Sequence, residues 1–319
     1  ALGLFSSLVV VLILKTAGQQ SILWFGENPI STHLVTLVTF AMQYMGAAIG
    51  VAVAYKLQAP PLVCFTSIVS GSLGAVSGGP AGALIAAIVG AEFGKAMSGE
   101  TKMDIILTPA VTMIFGYLVS LTVSPLIGNF MTFLGGLVLQ ATLAQPLITG
   151  MVVALIVGLS LTGPISSAAL AIMLNLSGLA AGASTAGCAA QMIGFAFMSF
   201  KDNGISGLIA QGIGTSKLQL PNVIKNPWVI LPPALASAIG GAFSTTVFKM
   251  ENIAVGAGMG TSGLVGQFTT FQTMGFSTEV LLKVMVLHFA LPIVLTLGFA
   301  FVLRKLGKIK DGDLKLDLN

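Results

Sequence analysis

Few side chains in this sequence can do chemistry, and those that can are grouped. The string Phe248-Lys249-Met250-Glu251-Asn252 sets a carboxylate beside an amide, between two apolar stretches. Such groups exchange hydrogen bonds with hydroxyls, which is how a hydroxyl-rich solute is oriented in an otherwise apolar pocket. The same residues would also suit a solvated loop. Beyond them lies Gly258-Met259-Gly260-Thr261-Ser262, and an earlier copy of the pattern G-x-G-T-S is spelled by Gly212-Ile213-Gly214-Thr215-Ser216. Asn222, Lys225 and Asn226 follow the earlier copy, although Asn226-Pro227 is also ordinary turn chemistry. The candidate binding residues are therefore Glu251, Asn252, Thr215, Ser216, Thr261, Ser262, Asn222 and Gln191, the last an amide in an apolar run.

The remaining ionisable residues have simpler readings. Glu92 and Lys95 are spaced as one helical turn, as are Glu279 and Lys283, and both pairs read as structural. His288 lies inside an apolar stretch, where packing and a proton relay are both open. His33 reads as interfacial. Cys64 and Cys188 lack any C-x-x-C or metal-like neighbour and read as small buried residues. Gly258 to Gly263 also satisfies G-x-G-x-x-G, but no strand precedes it, so a dinucleotide site is rejected. With two histidines, no H-E-x-x-H, no Walker sequence and no G-x-S-x-G, the chain carries no recognisable enzyme constellation, and no cofactor or metal is expected.

The elements that must position these residues follow from composition. Only 8% of the 319 residues are charged, 55% are apolar, and the mean hydropathy is +0.99. A soluble domain carries about 25% charge. This chain could not cover its own surface in water, so lipid must surround most of it. An all-α polytopic membrane protein is predicted, since a helix crosses the hydrocarbon core with ~20 apolar residues. The apolar runs fall at 2–14, 34–55, 60–77, 79–97, 105–124, 126–143, 147–163, 166–183, 186–200, 229–248 and 280–303, roughly ten crossings. The run 2–14 reads as a span whose beginning is missing. Residues 1–303 are expected to form one membrane domain. Residues 304–319 are expected to form a solvated basic tail, and the tail's five basic residues place the C-terminus in the cytoplasm. The net charge of +4 is no nucleic-acid signature.

Three stretches, 67–82, 207–227 and 254–268, are too rich in glycine and polar residues for lipid-facing helices. Irregular backbone is tolerated at membrane depth only where protein or a watery cavity covers it. Such segments suit re-entrant hairpins or broken helices, the places where transporters bind their substrates. The recurring G-x-G-T-S suggests an internal repeat. The glycines near 71–82 and 256–263 are candidate pivots.

Three longer runs carry a family resemblance: Gly212–Pro227 (GIGTSKLQLPNVIKNP), Thr245–Gln267 (TTVFKMENIAVGAGMGTSGLVGQ) and Thr162–Gln191 (TGPISSAALAIMLNLSGLAAGASTAGCAAQ). They resemble the stand-alone EIIC membrane proteins of the bacterial phosphotransferase system, with the PfoR-type branch nearest. The resemblance implies a sugar-permease-like domain of the bacterial inner membrane, often dimeric. It also implies that separate EIIA and EIIB partners carry any phosphate. Neither Cys64 nor Cys188 matches the phosphorylated cysteine of such partners, and the family's sugar-binding His and Glu find no aligned position here. Two functions are carried forward. One is a transporter moving a small polar solute, a sugar or polyol, by alternating access around a site between 207–227 and 249–268, with Glu251 facing a water-accessible chamber. The other is a membrane-embedded sensor that binds without transport.

Overall fold

In hydrocarbon every backbone N–H and C=O must be paired within the protein, and the helix is how one segment does this alone. The computed structural model describes residues 29–163 and 166–316, with Leu14, Gly18, Ile22 and Gly26 before them. Apart from Leu14, the expected span 2–14 lies outside the described residues. The chain divides into two compact units, residues 1–133 and 134–319.

In the first unit, α1 (Pro29–Gln43) and α2 (Met45–Lys56) are separated at Tyr44. The next helix, α3 (Pro61–Met97), is folded back on itself. Gly78 and Gly79 leave helical geometry, Gly79 with φ +59° and ψ −154°, a combination open essentially to glycine alone. Pro80 then supplies no N–H to continue the ladder. The two arms pair antiparallel: a Cβ placed on Gly74 would lie 2.5 Å from the Gly82 carbonyl, and one on Gly90 2.8 Å from Ser70 Oγ. Each arm is about 17 residues, ~26 Å at 1.5 Å per residue, close to the ~30 Å hydrocarbon thickness. The division expected between 77 and 79 falls at this bend. Close approach also joins α2 to the first arm, where a Cβ on Gly46 would lie 2.7 Å from the Gly71 carbonyl. Small residues permit such contacts where no hydrophobic force draws helices together.

The helix α4 (Asp104–Ala144) corrects the sequence reading, which divided it at Pro125. It is one helix of 41 residues, ~61 Å long. A proline removes one ladder bond, but inside protein the freed carbonyl can be re-satisfied without the chain turning back. Its start is fixed by Asp104, whose Oδ1 accepts from Gly99 N–H at 2.8 Å and from Thr108 Oγ1 at 2.5 Å. Glu92 and Lys95 pair at 3.2 Å as expected, and Lys95 also donates to the Leu57 carbonyl.

The second unit contains α5 (Pro146–Thr162), α6 (Ser167–Met173), α7 (Gly178–Met198), α8 (Phe200–Ile209), α9 (Leu220–Lys225), α10 (Leu231–Thr246), α11 (Ala254–Ala257), α12 (Val265–Met274), α13 (Thr278–Val284) and α14 (Leu291–Lys305). A π-helical turn at Ala210–Gly214 lies between α8 and α9, and a second at Met285–Ala290 joins α13 to α14. The sequence reading broke the chain between 183 and 186; the break is at 174–177. There Asn175 and Gly178 take positive φ, and Ser177 and Gly178 bridge antiparallel to Ile253 and Asn252. The hydroxyls of Ser184 and Thr185 are absorbed instead, donating to the carbonyls of Ala257 and Ala181.

The hub of this unit is α7. Its apolar window is 94% buried, because its small side chains admit neighbours on every side. It packs on α5, α10 and α14. Val153, Val157 and Leu161 of α5 meet Ala181, Cys188 and Met192 of α7 in one apolar cluster with Ala257.

Among the described residues five helices are long and apolar enough to cross a membrane, or six if α1 and α2 form one bent span. The chain is an all-α polytopic membrane protein. The roughly ten crossings expected from the sequence are not reached by this count, which takes the folded-back α3 as one helix.

The tail is not a solvated appendage. Ile309 and Leu314 are buried against Phe195, Met198, Val229 and Ala300. Asn203 Nδ2 donates to the Leu314 carbonyl at 2.8 Å, and Leu316 N–H returns to Asn203 Oδ1. Lys201 pairs with Asp311 at 2.6 Å. Two apolar side chains in a segment half of whose residues are charged are enough to dock it when the facing backbone and amides are paired.

Candidate functional site

The predicted binding residues sort themselves along α7. Near its middle, Gln191 is fully buried and belongs to a directed hydrogen-bond chain. Thr162 Oγ1 donates to Gln191 Oε1 at 3.0 Å. Thr162 has one proton, so in its 2.8 Å contact with Ser216 Oγ the serine is the donor. Gln191 Nε2 continues to Ser237 Oγ at 3.3 Å, and Ser237 donates to the carbonyls of Gly187 and Pro233. Thr162, Gln191, Ser216 and Ser237 are all at 0% exposure. A buried chain in which each hydroxyl proton has an acceptor polarises its members in one direction, and leaving any of these groups unpaired costs about 1–3 kcal/mol. Beside Ser216, Lys217 Nζ donates to the Gly163 carbonyl at the C-terminal end of α5, where a cation suits the helix dipole.

One turn away the two G-x-G-T-S segments meet. Thr261 Oγ1 donates to the Gly212 carbonyl at 2.5 Å and lies 3.5 Å from Met192 Sδ. The second segment is wedged onto α7: Ser167 Oγ donates to the Gly258 carbonyl at 2.6 Å, as Ser184 Oγ does to that of Ala257. Gly260 has φ +54°, and a Cβ there would lie 2.6 Å from the Cys188 carbonyl carbon. The glycines expected near 256–263 as pivots thus serve close packing. Ser262 is buried at the same turn. In the first segment Thr215 is half-buried and accepts from Lys217 N–H, a local cap.

The remaining predicted residues are placed otherwise. Asn252 is fully buried, but its amide is consumed: Nδ2 faces Thr185 Oγ1 at 2.8 Å, the Gly266 carbonyl at 3.0 Å and Thr270 Oγ1 at 3.1 Å, while Oδ1 accepts from Ile253 N–H. It pins the start of α11 to α7 and α12. Glu251, its neighbour, is exposed, and its backbone N–H points to Met274 Sδ. Asn222 holds the tail, donating to Gln219 Oε1 at 2.8 Å and to the Lys315 carbonyl at 2.9 Å. Ser216, through Thr162 at the end of α5, and Thr261, through Met192, are therefore brought beside Gln191 of α7, with Ser237 of α10 on its other side. Glu251 and Asn222 are at other places.

Sequence reasoning missed two features. One is an amide ladder: Gln219 Nε2 donates to Gln211 Oε1 at 2.9 Å and to the Leu314 carbonyl at 3.0 Å, and Gln211 Nε2 donates to Ser199 Oγ at 2.8 Å. It links the tail to the π turn bearing the first motif. The other is Gln267 Nε2 facing His288 Nδ1 at 3.1 Å, both residues buried. The available signal was glutamine: Gln191, Gln211, Gln219 and Gln267 all sit in glycine-rich or apolar stretches, and only the first was singled out.

Chemically, the arrangement is a seam of neutral hydroxyls and amides. Among the described residues no three His, Cys, Asp or Glu gather to hold a metal. Cys64 and Cys188 are both free thiols. Outside the membrane-crossing helices, Lys201 beside Asp311 holds that carboxyl below the usual aspartate range.

Over residues 1–316 the chain matches the family model described as Phosphotransferase system, EIIC. No curated protein matches it.

Proposed function

We infer the function from membership: the chain belongs to the phosphotransferase-system EIIC family, and its apolar helices make it that system's membrane-embedded transporter component. EIIC proteins work with EIIA and EIIB partners, which carry phosphate from phosphoenolpyruvate. The sensor reading is not favoured by this membership.

Beyond that, we propose that the solute is a sugar or polyol and that it binds where the two broken segments adjoin on α7. The observation that carries this reading is the hydrogen bond from Thr261 to the Gly212 carbonyl, beside the buried Thr162–Gln191–Ser216–Ser237 chain. Neutral hydroxyls and amides can exchange partners with a sugar's hydroxyls at little net cost, since each bond broken is replaced by one of the same kind. We assign Gln191, Ser216, Thr261 and Ser262 to this lining. Thr215, Asn252, Asn222 and the exposed Glu251 would join it only through movement of the segments that carry them. Such movement is what alternating access between the repeated motifs would provide. We place the protein in the bacterial inner membrane as a homodimer, with residues 1–303 as the EIIC domain and the basic tail 304–319 in the cytoplasm.

The test is uptake by proteoliposomes containing the full chain, supplied with EIIA, EIIB and phosphoenolpyruvate and a panel of radiolabelled hexoses and hexitols. Uptake of at least one is expected, with weaker apparent affinity in Gln191→Leu and Glu251→Gln. Unchanged affinity in Glu251→Gln would remove the carboxylate from the site. Tight binding without uptake would revive the sensor.

A further inference from the structure

We propose that Gln267 and His288 form a hydroxyl-binding subsite for the transported solute, an inference that rests on the solute reading given above. Gln267 on α12 and His288 in the second π turn face each other at 3.1 Å through Nε2 and Nδ1. His288 is 0% and Gln267 4% exposed. Their contact uses one polar atom of each. His288 Nε2 and Gln267 Oε1 are buried with no hydrogen-bond partner among the described residues.

What these two atoms require is set by proton counting. If the amide N–H donates to Nδ1, the imidazole proton sits on Nε2; one donor is left there and one acceptor on Oε1. If the amide is turned and Nδ1–H donates to its oxygen, Nε2 becomes the acceptor and the amide N–H the donor. Either way a neutral pair presents at least one donor and one acceptor, the second amide N–H being a further donor. A carboxylate or phosphate only accepts, and an ammonium only donates, so each would leave one atom unpaired. A hydroxyl does both. Amides and water do so too, and among these the sugar or polyol reading selects the neutral alcohol.

Of the other unpartnered buried oxygens, Thr101 Oγ1 and Asp202 Oδ2 lie outside the membrane-crossing helices, the latter on a carboxylate whose Oδ1 already accepts from Gly312 N–H. Ser244 Oγ and Thr296 Oγ1 also lack partners, but on helices a rotating hydroxyl can return to its own i−4 carbonyl. An imidazole and a primary amide cannot. The backbone adds an independent reason. Pro292 has no N–H to return to the His288 carbonyl, and the helix passes through a π turn at Met285–Ala290, a device frequent at functional sites. Gln267 also adjoins Gly266, whose carbonyl receives Asn252, so the pair lies one residue from that buried bracket.

The sequence has two histidines, so in full-length His33→Gln protein a single imidazole reports. The experiment records its ¹⁵N resonances in detergent with and without D-glucose, D-mannitol and myo-inositol, and measures their affinities. We expect one probe to shift Nε2 with little change at Nδ1. Gln267→Leu should bind that probe about tenfold more weakly, the value of one buried hydrogen bond. His288→Gln, which keeps a donor near the same place, should retain more affinity than His288→Leu. If Gln267→Leu does not fold, the Nε2 shift and the two His288 variants decide. Binding with unmoved His288 resonances and unchanged affinity in the variants would overturn the subsite while sparing the solute reading. No binding of any probe would overturn both.

Discussion

The pattern G-x-G-T-S occurs twice in this chain, and its copies are held in unlike ways. In the second copy a Cβ on Gly258 would press into the Ser167 carbonyl, and Gly260 sits at positive φ against the backbone of Cys188 and Ala189. In the first copy Gly212 has only ordinary contacts, 3.5 Å from a hypothetical Cβ to Ala196, and Gly214 has nothing within 4 Å. One copy is a wedge whose glycines are required by the backbone beside them. The other is a π turn with open space, held from outside by the Gln211–Gln219 ladder and the docked tail. The same five letters thus serve packing in one place and leave room for movement in the other.

The sharpest contrast lies in the glycines. Gly260→Ala should destabilise by about 3–5 kcal/mol, combining backbone strain with overpacking, or abolish folding. Thermal unfolding in detergent measures this, and a near-native Gly260→Ala would dissolve the contrast. Next in size is the support of the first copy: Leu314→Ala empties a fully buried position and should cost about 2–5 kcal/mol. If its loss of stability leaves protease protection of 205–220 unchanged, the tail does not hold the π turn. Thr261→Val removes the donor joining the copies while keeping shape, at about 1–2 kcal/mol in a denaturant titration. Gly214→Ala should lie within about 1 kcal/mol of wild type and on the stabilising side, since alanine restricts the unfolded chain more than glycine. The smallest effect concerns the tail's ion pair. Asp311 is held below its ordinary range by Lys201. Its contribution is present above the usual aspartate range and is lost as pH falls through its depressed value in the folded protein. In Asp311→Asn the fall in Tm on acidification below about pH 4 should be slightly shallower.

Much of the architecture was legible in the residues. Low charge dictated the class, and the Gly78-Gly79-Pro80 bend, α5, α10 and the last helix fell near their predicted places. Pro125 misled because a proline read in isolation looks like a terminus, whereas a long membrane helix can pass through it. Asn175 was overlooked because the surrounding run is apolar, although Asn and Gly178 are the residue types that accept positive φ. At the site, Gln191, Ser216 and Thr261 could be singled out as polar groups in apolar runs. Their partners Thr162 and Ser237 could not, because nothing in the order of letters says that the end of α5 reaches the middle of α7. Asn222 and Asn252 were visible as polar residues, but the Lys315 carbonyl that fixes the first, and Thr185, Gly266 and Thr270 around the second, lie well away in sequence.

The central claim is that the two copies adjoin at a seam which must rearrange during transport. Its most direct test is a mercury(II) bridge across that seam, Gly212→Cys with Thr261→Cys, in a background where Cys64 and Cys188 are replaced, since Thr261 meets the Gly212 carbonyl and a directly bonded disulfide would need closer Cβ atoms. The account predicts rapid crosslinking by Hg²⁺, with solute uptake blocked until a dithiol removes the metal. Failure to crosslink, or full uptake by the crosslinked protein, would contradict it.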